Sequence, residues 1–351
     1  MNLDLALILT ANGLASGAVY LLAGLGLVLV FSVTRVVFVP FGDIAAFSAL
    51  SLAAIESGRL PPTIPLVALL ALLATTVEIA SALRHGKPGR VVSIFMRWFL
   101  VPLIPCAIAW SAMELGAPHL LQVIASAMLV VPLAPLLARL FLQPIADSST
   151  LTLLIVALAI HFILSGLGLL FFGPDGVRTQ PFIHGRIHVT SLFTMSAQTL
   201  VIIGFAFVSC LFLYALFERT GTGKALRATA VNRIGARLVG IRPASTALQS
   251  YILASFLAGL VGVLIAPVNT VYYDSGFIIG LKAFVAAIIG GLTSFPLTAI
   301  GALSVGLVES FASYWSGALK DVLVFSLLIP ILLVRSWLAL PSEDDMEEMD
   351  S

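Results

Sequence analysis

The stretch LALILTANGLASGAVYLLAGLGLVLVFSVT, residues 5–34, contains no Asp, Glu, Lys or Arg. Its apolar residues run continuously instead of alternating with polar ones as in a barrel strand. The run also exceeds the about 20 residues that a helix needs to cross the hydrocarbon core of a bilayer. Residues 148–174, 243–273 and 283–308 are uncharged in the same way. These four segments therefore predict membrane-spanning helices.

The composition of the whole chain agrees with these segments. Of 351 residues, 60% are apolar and only 10% are charged, and the mean hydropathy is +1.11. Ordinary soluble domains are about 45–50% apolar and about 25% charged, so an ordinary soluble protein is excluded. We predict an all-α polytopic membrane protein with about 10–11 transmembrane helices, one or two of them discontinuous. The predicted spans cover residues 10–33, 38–56, 62–83, 95–113, 118–139, 150–172, 197–217, 246–271, 277–292, 297–315 and 321–338.

Basic residues divide unequally between the two sets of predicted loops. One set holds Arg35, Arg84, Lys87, Arg90, Arg97, Arg139, Arg219, Lys224, Arg227, Arg233, Arg237, Arg242 and Arg335. The other set holds Arg59, Arg178, Arg186, Lys282 and Lys320. Cytoplasmic loops carry the excess of Lys and Arg in membrane proteins. We therefore expect the N-terminus outside and the C-terminus inside, with an external loop at 173–196 and a cytoplasmic loop at 218–243.

The C-terminal end differs in character from the rest of the chain. Its acids are Glu343, Asp344, Asp345, Glu347, Glu348 and Asp350. Without them the body carries 18 bases against 11 acids. We expect a transmembrane domain over residues 1–340 and a disordered, acidic cytoplasmic tail over residues 341–351.

Sequence motifs argue against several other classes of protein. The bases form no patch interleaved with aromatic residues, so we expect no nucleic-acid binding. The run Gly221-Thr-Gly-Lys224 is not a P-loop, because Glu218 stands where the first glycine is required and Ala225 replaces the hydroxyl residue. The chain is therefore not expected to bind ATP itself. No zinc-binding or nucleophile motif occurs, so we predict no metal site, no catalytic residue and no cofactor.

Polar residues inside the predicted spans suggest functional or structural sites. The break VPFGD at residues 39–43 places a proline and a glycine beside an acid, a pattern that predicts a discontinuous helix. Asp43 is either a cap of the half-helix that starts there or part of a translocation path. Lys282 and Glu309 lie in neighbouring predicted spans, where a mutual ion pair with a structural role is the simplest way to tolerate both charges.

The cytoplasmic loop contains an amphipathic pattern in KALRATAVNRIGARLVGI, residues 224–241. Its apolar positions are Leu226, Ala230, Ile234, Leu238 and Ile241. Arg227, Arg233 and Arg237 lie off this stripe, so the pattern predicts a helical segment of about 20 residues on the cytoplasmic face. The segment either rests on lipid headgroups or is presented to a partner protein, and periodicity alone favours neither.

Several motifs taken together resemble the LivH-type permease of branched-chain amino acid ABC transporters. They are Asn12-Gly13, Ser16 to Tyr20, Gly223 to Ile241, and the block from Gly280 to Pro296 that continues through Glu309 to Lys320-Asp321. The resemblance implies an importer permease in the bacterial inner (plasma) membrane, in contact with membrane lipid. It also implies a second, homologous permease subunit, two cytoplasmic ATP-binding subunits and an external or periplasmic solute-binding protein.

The resemblance also carries site residues onto this chain. It assigns coupling to the ATPase to Gly223, Lys224, Arg227, Ala230, Asn232 and Gly240, to which we add the neighbouring base Arg233. The candidate translocation path consists of Asn12, Tyr20, Pro40, Gly42 and Asp43. The implied solute is a branched-chain amino acid or a related small polar solute such as urea, a short amide or an aromatic acid.

The sequence departs from the family pattern in two places. Residues 61–138 are longer than the family predicts, and we expect them to add a pair of spans. Residues 39–43 replace a segment that usually carries a His before the Gly and a Glu after it. Two other classes of function remain open. A stand-alone secondary transporter would use Asp43 and Glu309 for ion coupling, and an intramembrane enzyme would need paired catalytic groups that the sequence scarcely offers.

Overall fold

The computed structural model describes residues 3–86, 88–183, 185–188, 194–317 and 319–338. Within them the chain forms a helical bundle with short connections. The first half contains α1 (Leu3–Thr34), α2 (Phe41–Glu56), α3 (Thr63–Arg84), α4 (Val91–Phe95), α5 (Val101–Glu114), α6 (His119–Leu129), α7 (Leu133–Leu137) and α8 (Thr150–Phe172). The second half contains α9 (Ala197–Arg219), α10 (Gly221–Val231), α11 (Arg233–Leu238), α12 (Pro243–Ile265), α13 (Ser275–Ile289), α14 (Phe295–Trp315), α15 (Lys320–Ser326) and α16 (Leu328–Leu338).

Shorter elements connect or extend these helices. Single turns of 3-10 helix cover Pro88–Arg90 and Gln143–Ile145, and single π-helical turns cover Met96–Leu100 and Ala138–Leu142. Between α8 and α9, strands β1 (Arg186–His188) and β2 (Thr194–Ser196) pair antiparallel. The predicted tail at residues 341–351 and the base Lys87 lie outside the described residues.

The predicted fold class is confirmed. Among the described residues, eight helical segments are long and apolar enough to cross a membrane. Two of these segments, Pro88–Glu114 and His119–Ile145, consist of several shorter helices in succession. The remaining predicted spans correspond to the shorter helices α2 and α13 and to the broken pair α15–α16. Every predicted span thus has a helical counterpart. The orientation of the bundle across the membrane stays a prediction.

The helix break that the sequence predicts at residues 39–43 lies slightly earlier in the chain, between α1 and α2. Helix α1 ends at Thr34, residues 35–40 are not helical, and α2 begins at Phe41. Apart from the exposed Arg35, the connecting segment is buried or partly buried, and the rings of Phe38 and Tyr251 meet edge to face with 5.1 Å between centroids. The capping role considered for Asp43 is wrong, because Pro40 occupies the N-cap position and no side chain caps α2.

Small residues allow the central helices to approach closely. Along α1 and α14, Gly13 faces Leu307 and Gly17 faces Leu303, so the two helices are antiparallel. A Cβ added to Gly306 would lie 2.3 Å from the backbone nitrogen of Gly17. Such approaches between backbones are how helices gain packing energy in lipid, where burial of apolar side chains supplies no driving force.

The periphery of the bundle is formed by α3, the segment 88–114, α8 and α9, all of which leave large apolar side chains exposed. The longer region at residues 61–138 contributes to both layers. Its helix α3 and the segment 88–114 lie on the outside, whereas α6 packs in the core, where Ser126 Oγ donates to the Ser48 carbonyl over 2.6 Å. The additional length thus enlarges the lipid-facing side.

The contact between α2 and α13 predicts a position that tolerates no side chain. A Cβ on Gly42 would lie 1.9 Å from the carbonyl oxygen of Gly276, a backbone atom that cannot rotate away. We expect Gly42→Ala to lower the free energy of unfolding by about 1–3 kcal/mol. Thermal unfolding in detergent measures the change.

The matched control is Gly204→Ala in α9, where a Cβ meets nothing within 4 Å. Its melting temperature should stay the same or rise, because alanine favours helix more than glycine does. Equal melting temperatures for the two variants would contradict the close contact.

Candidate functional site

Two buried polar clusters lie inside the bundle. The first joins α1, α13, α14 and α15 around the ammonium group of Lys282, which is 4% exposed. Lys282 Nζ donates to Glu309 Oε1 over 2.5 Å and lies 2.8 Å from Asp321 Oδ1. Tyr20 donates its hydroxyl to Glu309 Oε2 over 2.5 Å, and its ring centroid lies 5.8 Å from Lys282 Nζ. We call these four residues the lysine cluster.

The lysine cluster combines residues that the sequence analysis kept apart. Lys282 and Glu309 are in contact, as expected for an ion pair. Tyr20, expected on the translocation path, is bonded to that pair. Asp321 belonged to a family motif but had no expected role, and it adds a second carboxylate. A buried cation is stable in such surroundings only when its donors and charge are met by partners, so the cluster ties four helices together.

The second cluster joins α2 and α8. The Asp43 carboxylate is 1% exposed, and the imidazole Nδ1 of His161 lies 2.9 and 2.8 Å from its two oxygens. The Phe277 ring from α13 stacks on the imidazole, with 4.8 Å between centroids and 25° between planes. We call Asp43 and His161 the Asp–His pair.

Sequence reasoning missed His161. The family pattern led us to look for a histidine next to Gly42, whereas here the imidazole comes from a distant helix. The available signal was a single histidine near the middle of an otherwise uncharged span, opposite an acid with no local partner. A buried carboxylate needs such a partner.

The candidate path residues do not form one site. Pro40, Gly42 and Asp43 are contiguous at the start of α2, where Gly42 touches the backbone of Gly276. Tyr20 belongs to the lysine cluster. Asn12 lies on an exposed face of α1. The Asp–His pair and the first turn of α2 are therefore the polar centre closest to the predicted break.

The coupling segment consists of two helices where the sequence predicted one. Thr220 caps α10, because its Oγ1 accepts a hydrogen bond from the backbone N–H of Gly223. Asn232 caps α11, because its Oδ1 accepts a hydrogen bond of 2.8 Å from the backbone N–H of Gly235. Asn232 is extended (φ −151°, ψ 106°), so the helix ends there and restarts. The prediction of one amphipathic helix of about 20 residues is wrong, because the periodicity continues across a capped break.

Most expected coupling residues have identifiable positions in this pair of helices. Gly223 lets α10 fold back on α9, since a Cβ there would lie 2.1 Å from the carbonyl oxygen of Leu216. Arg227 is exposed and donates to Glu218 over 2.7 Å. Gly240 ends the segment with φ +86°, which glycine adopts readily. Lys224, Ala230 and Arg233 lie along the same segment, Lys224 exposed and the other two partly buried.

The break at Asn232 changes which apolar side chains are accessible. Leu226 is buried, and Thr246 Oγ1 donates to Thr229 Oγ1 over 3.1 Å, which fixes α10 against α12. Four apolar side chains beyond α10 or at its end are instead 73–84% exposed: Val231, Ile234, Leu238 and Val239. We call these four residues the apolar tip. A cluster of this kind marks a protein or membrane contact.

Comparison with known proteins identifies the family. The profile of the family described as "Branched-chain amino acid transport system / permease component" matches residues 9–332. The chain belongs to this family. Together with its apolar spans, membership makes the chain a multi-pass protein of the inner membrane, and it confirms the resemblance found in the sequence. No solved structure matches the chain significantly.

Individual members of the permease family match over parts of their length. The high-affinity branched-chain amino acid transport system permease protein LivH of Escherichia coli K12 is 31% identical over 205 residues, which cover 56% of this chain and 66% of the relative. BraD of Pseudomonas aeruginosa, described in the same words, is 30% identical over 156 residues, 44% of this chain and 50% of the relative. A probable LivH of Methanocaldococcus jannaschii is 32% identical over 124 residues, 35% of this chain and 39% of the relative.

The lysine cluster gives a prediction about stability. Replacing Glu309 by Leu leaves the Lys282 ammonium with Asp321 alone and frees the Tyr20 hydroxyl. Removing one member of a buried ion pair costs about 3–5 kcal/mol when the other charge is left unpaired. Because Asp321 still pairs with Lys282, Glu309→Leu should lower the melting temperature in detergent by less than that limit implies.

The double variant Lys282→Met, Glu309→Leu is the matched control. It removes both charges, so we expect it to recover a large part of the lost stability. The single variant Lys282→Met completes the comparison. If the double variant lost as much stability as Lys282→Met and Glu309→Leu together, the two residues would not stabilise each other.

Proposed function

We propose that this chain is the membrane-spanning permease of an ATP-driven importer. Two observations support the proposal: membership of a transport permease family, and an apolar tip on the segment that carries the predicted coupling residues. The complete assembly would contain a second, homologous permease, two cytoplasmic ATP-binding subunits and an external solute-binding protein. In this proposal ATP is hydrolysed by separate cytoplasmic subunits, because the run Gly221-Thr-Gly-Lys224 of this chain is not a P-loop.

The proposed solute is a branched-chain amino acid or a similar small zwitterion. The printed names of the relatives support this class of solute. The start of α2 offers complementary groups: a carboxylate at Asp43 for an ammonium group, and the positive end of a half-helix for a carboxylate. Asp43 is 1% exposed, so the solute would reach it only in a second packing of the helices.

The coupling segment is the proposed connection to the ATPases. The apolar tip would fit a cleft on an ATP-binding subunit, with Lys224, Arg227 and Arg233 at its edge. Because Thr229 and Thr246 fasten α10 to α12, movement of the tip would be transmitted to a helix that lines the core. This arrangement favours the partner-docking interpretation of the segment over one in which it only rests on lipid.

Uptake by the reconstituted complex tests the function. Proteoliposomes that contain the chain, its ATP-binding subunits and its binding protein should accumulate radiolabelled leucine only when ATP is enclosed. A proton gradient without ATP should have no effect. Uptake driven by the gradient alone would instead support a secondary transporter that uses the Asp–His pair.

The same assay tests the proposed path. Asp43→Asn removes the negative charge but keeps the shape of the side chain. Leucine uptake should fall at least about tenfold, the factor that corresponds to 1.4 kcal/mol, while ATP hydrolysis continues. Unchanged uptake by a stable Asp43→Asn variant would remove Asp43 from the path.

A variant of the apolar tip tests whether this surface binds the ATP-binding subunits, independently of whether the chain inserts in the membrane. Ile234 and Leu238 are 73% and 84% exposed, so replacing both by Asp should leave the bundle intact. We expect the variant to lose the ATP-binding subunits on co-purification and to lose ATP-driven uptake, since an apolar contact would be replaced by two charges.

Leu60→Asp is the control for the apolar tip. Leu60 is 52% exposed in the turn between α2 and α3, on the predicted external side. This variant should retain both the subunits and uptake. Normal co-purification of the Ile234→Asp, Leu238→Asp variant would contradict docking at the tip.

A further inference from the structure

A basic groove lies at the predicted cytoplasmic end of the bundle and shares no lining residue with the apolar tip or with either polar cluster. It has a volume of about 640 Å³ and is bounded by α3, the segment 88–100, the π-helical turn 138–142 and the start of α12. Four arginines line it: Arg90, Arg97, Arg139 and Arg242. Residues far apart in the sequence therefore concentrate positive charge in one concave place.

Three of these arginines remain available for a ligand. Arg139 is engaged, because it pairs with Glu78 and donates to Gln143 Oε1 over 2.6 Å. Arg90, Arg97 and Arg242 are exposed and have no carboxylate partner within the described ranges. Since Glu78 is the acid that lines the groove and it already neutralises Arg139, the groove carries an uncompensated positive charge.

Trp98 lies against two of the arginines that line the groove. The guanidinium carbons of Arg97 and Arg139 lie 5.9 and 5.8 Å from the ring centroid of Trp98, at the distance of a cation–π contact. Tryptophan and arginine are typical of the boundary between hydrocarbon and headgroups. The groove thus has the residue composition that is typical of the level of lipid phosphates.

The surface beside the groove is apolar. Val92, Met96 and Val101 are 54–73% exposed on the same segment that supplies Arg90 and Arg97, and Phe95 stacks on Phe99 with 5.1 Å between centroids. A small soluble anion would gain nothing from this surface. A molecule with a phosphate and hydrocarbon chains would use both parts.

We propose that the groove binds the headgroup phosphate of an anionic phospholipid from the inner leaflet, with its acyl chains along the segment 92–101. Basic pockets between transmembrane helices on the cytoplasmic side have the chemistry that such headgroups require. The lipid connects the lipid-facing segment 88–114 to Arg242, the residue that precedes α12 and follows the coupling segment. It thus occupies a position from which it stabilises the start of α12.

Native mass spectrometry of the full-length chain in detergent, titrated with phosphatidylglycerol or phosphatidylcholine, tests the proposal. The wild-type chain should bind phosphatidylglycerol preferentially. The triple variant with Arg90→Gln, Arg97→Gln and Arg242→Gln should bind phosphatidylglycerol about 100-fold more weakly than the wild type. Each base near an anionic surface contributes a factor of about five to the affinity. The weaker binding of phosphatidylcholine should hardly change.

Two variants control for folding and for general charge. The triple replacement of the same arginines by lysine retains the charges and should keep most of the preference. Arg84→Gln removes an exposed base at the same end of α3 but outside the groove, and it should bind like the wild type. If the triple glutamine variant does not fold, Arg242→Gln alone should show about a fivefold loss.

Several outcomes would overturn the proposal. They are equal binding of both lipids by the wild type, an unchanged preference in a folded glutamine variant, and a loss of equal size in Arg84→Gln. Inorganic phosphate that displaces phosphatidylglycerol at equal concentration would identify a site for a soluble anion. A large gain in lipid affinity on removal of residues 341–351 would identify the acidic tail as the occupant.

Discussion

The need to satisfy buried charges and backbone groups without water governs this structure. In hydrocarbon an unpaired ion or an open backbone group costs several kcal/mol, so each one must find a partner inside the protein. Among the lysines and arginines whose burial the structure describes, Lys282 is the buried one, and it lies among two carboxylates and a phenol. The same requirement places His161 against Asp43. The polar clusters are therefore also the points where the helices are fastened together.

The broken span combines this constraint with a possible role in transport. Residues 35–40 leave the helical conformation, which is tolerated because Val36, Phe38 and Pro40 are buried against neighbouring helices whereas Arg35 is exposed. The break gives α2 a free N-terminal end at the level of the Asp–His pair. Because of its close backbone contact with α13 through Gly42 and Gly276, α2 cannot move toward α13 unless α13 moves as well. A site at the start of α2 is thus mechanically connected to the surrounding core.

The cytoplasmic end of the bundle has two different contact surfaces. The apolar tip around Ile234 follows α10 in the chain, and α10 is fastened to α12 through Thr229 and Thr246. The basic groove lies at the start of the same helix through Arg242. A protein contact on one side and a lipid contact on the other therefore both act on α12, a helix with a largely buried surface.

The sequence by itself determined the positions of the spans and the membership of a permease family, because apolar length and local motifs are properties of neighbouring residues. It also predicted a helix break at residues 39–43, close to the non-helical residues 35–40. Only the tertiary structure decided that His161 is the partner of Asp43, that Asp321 joins Lys282, and that the arginines at 90, 97 and 242 line one groove. Those contacts join residues far apart in the chain. Hydrophobic patterning could not predict them, since lipid and protein interior are equally apolar and a span shows no polar face to indicate its neighbours. The helix break at Asn232 was missed because the apolar spacing is the same on both sides of it.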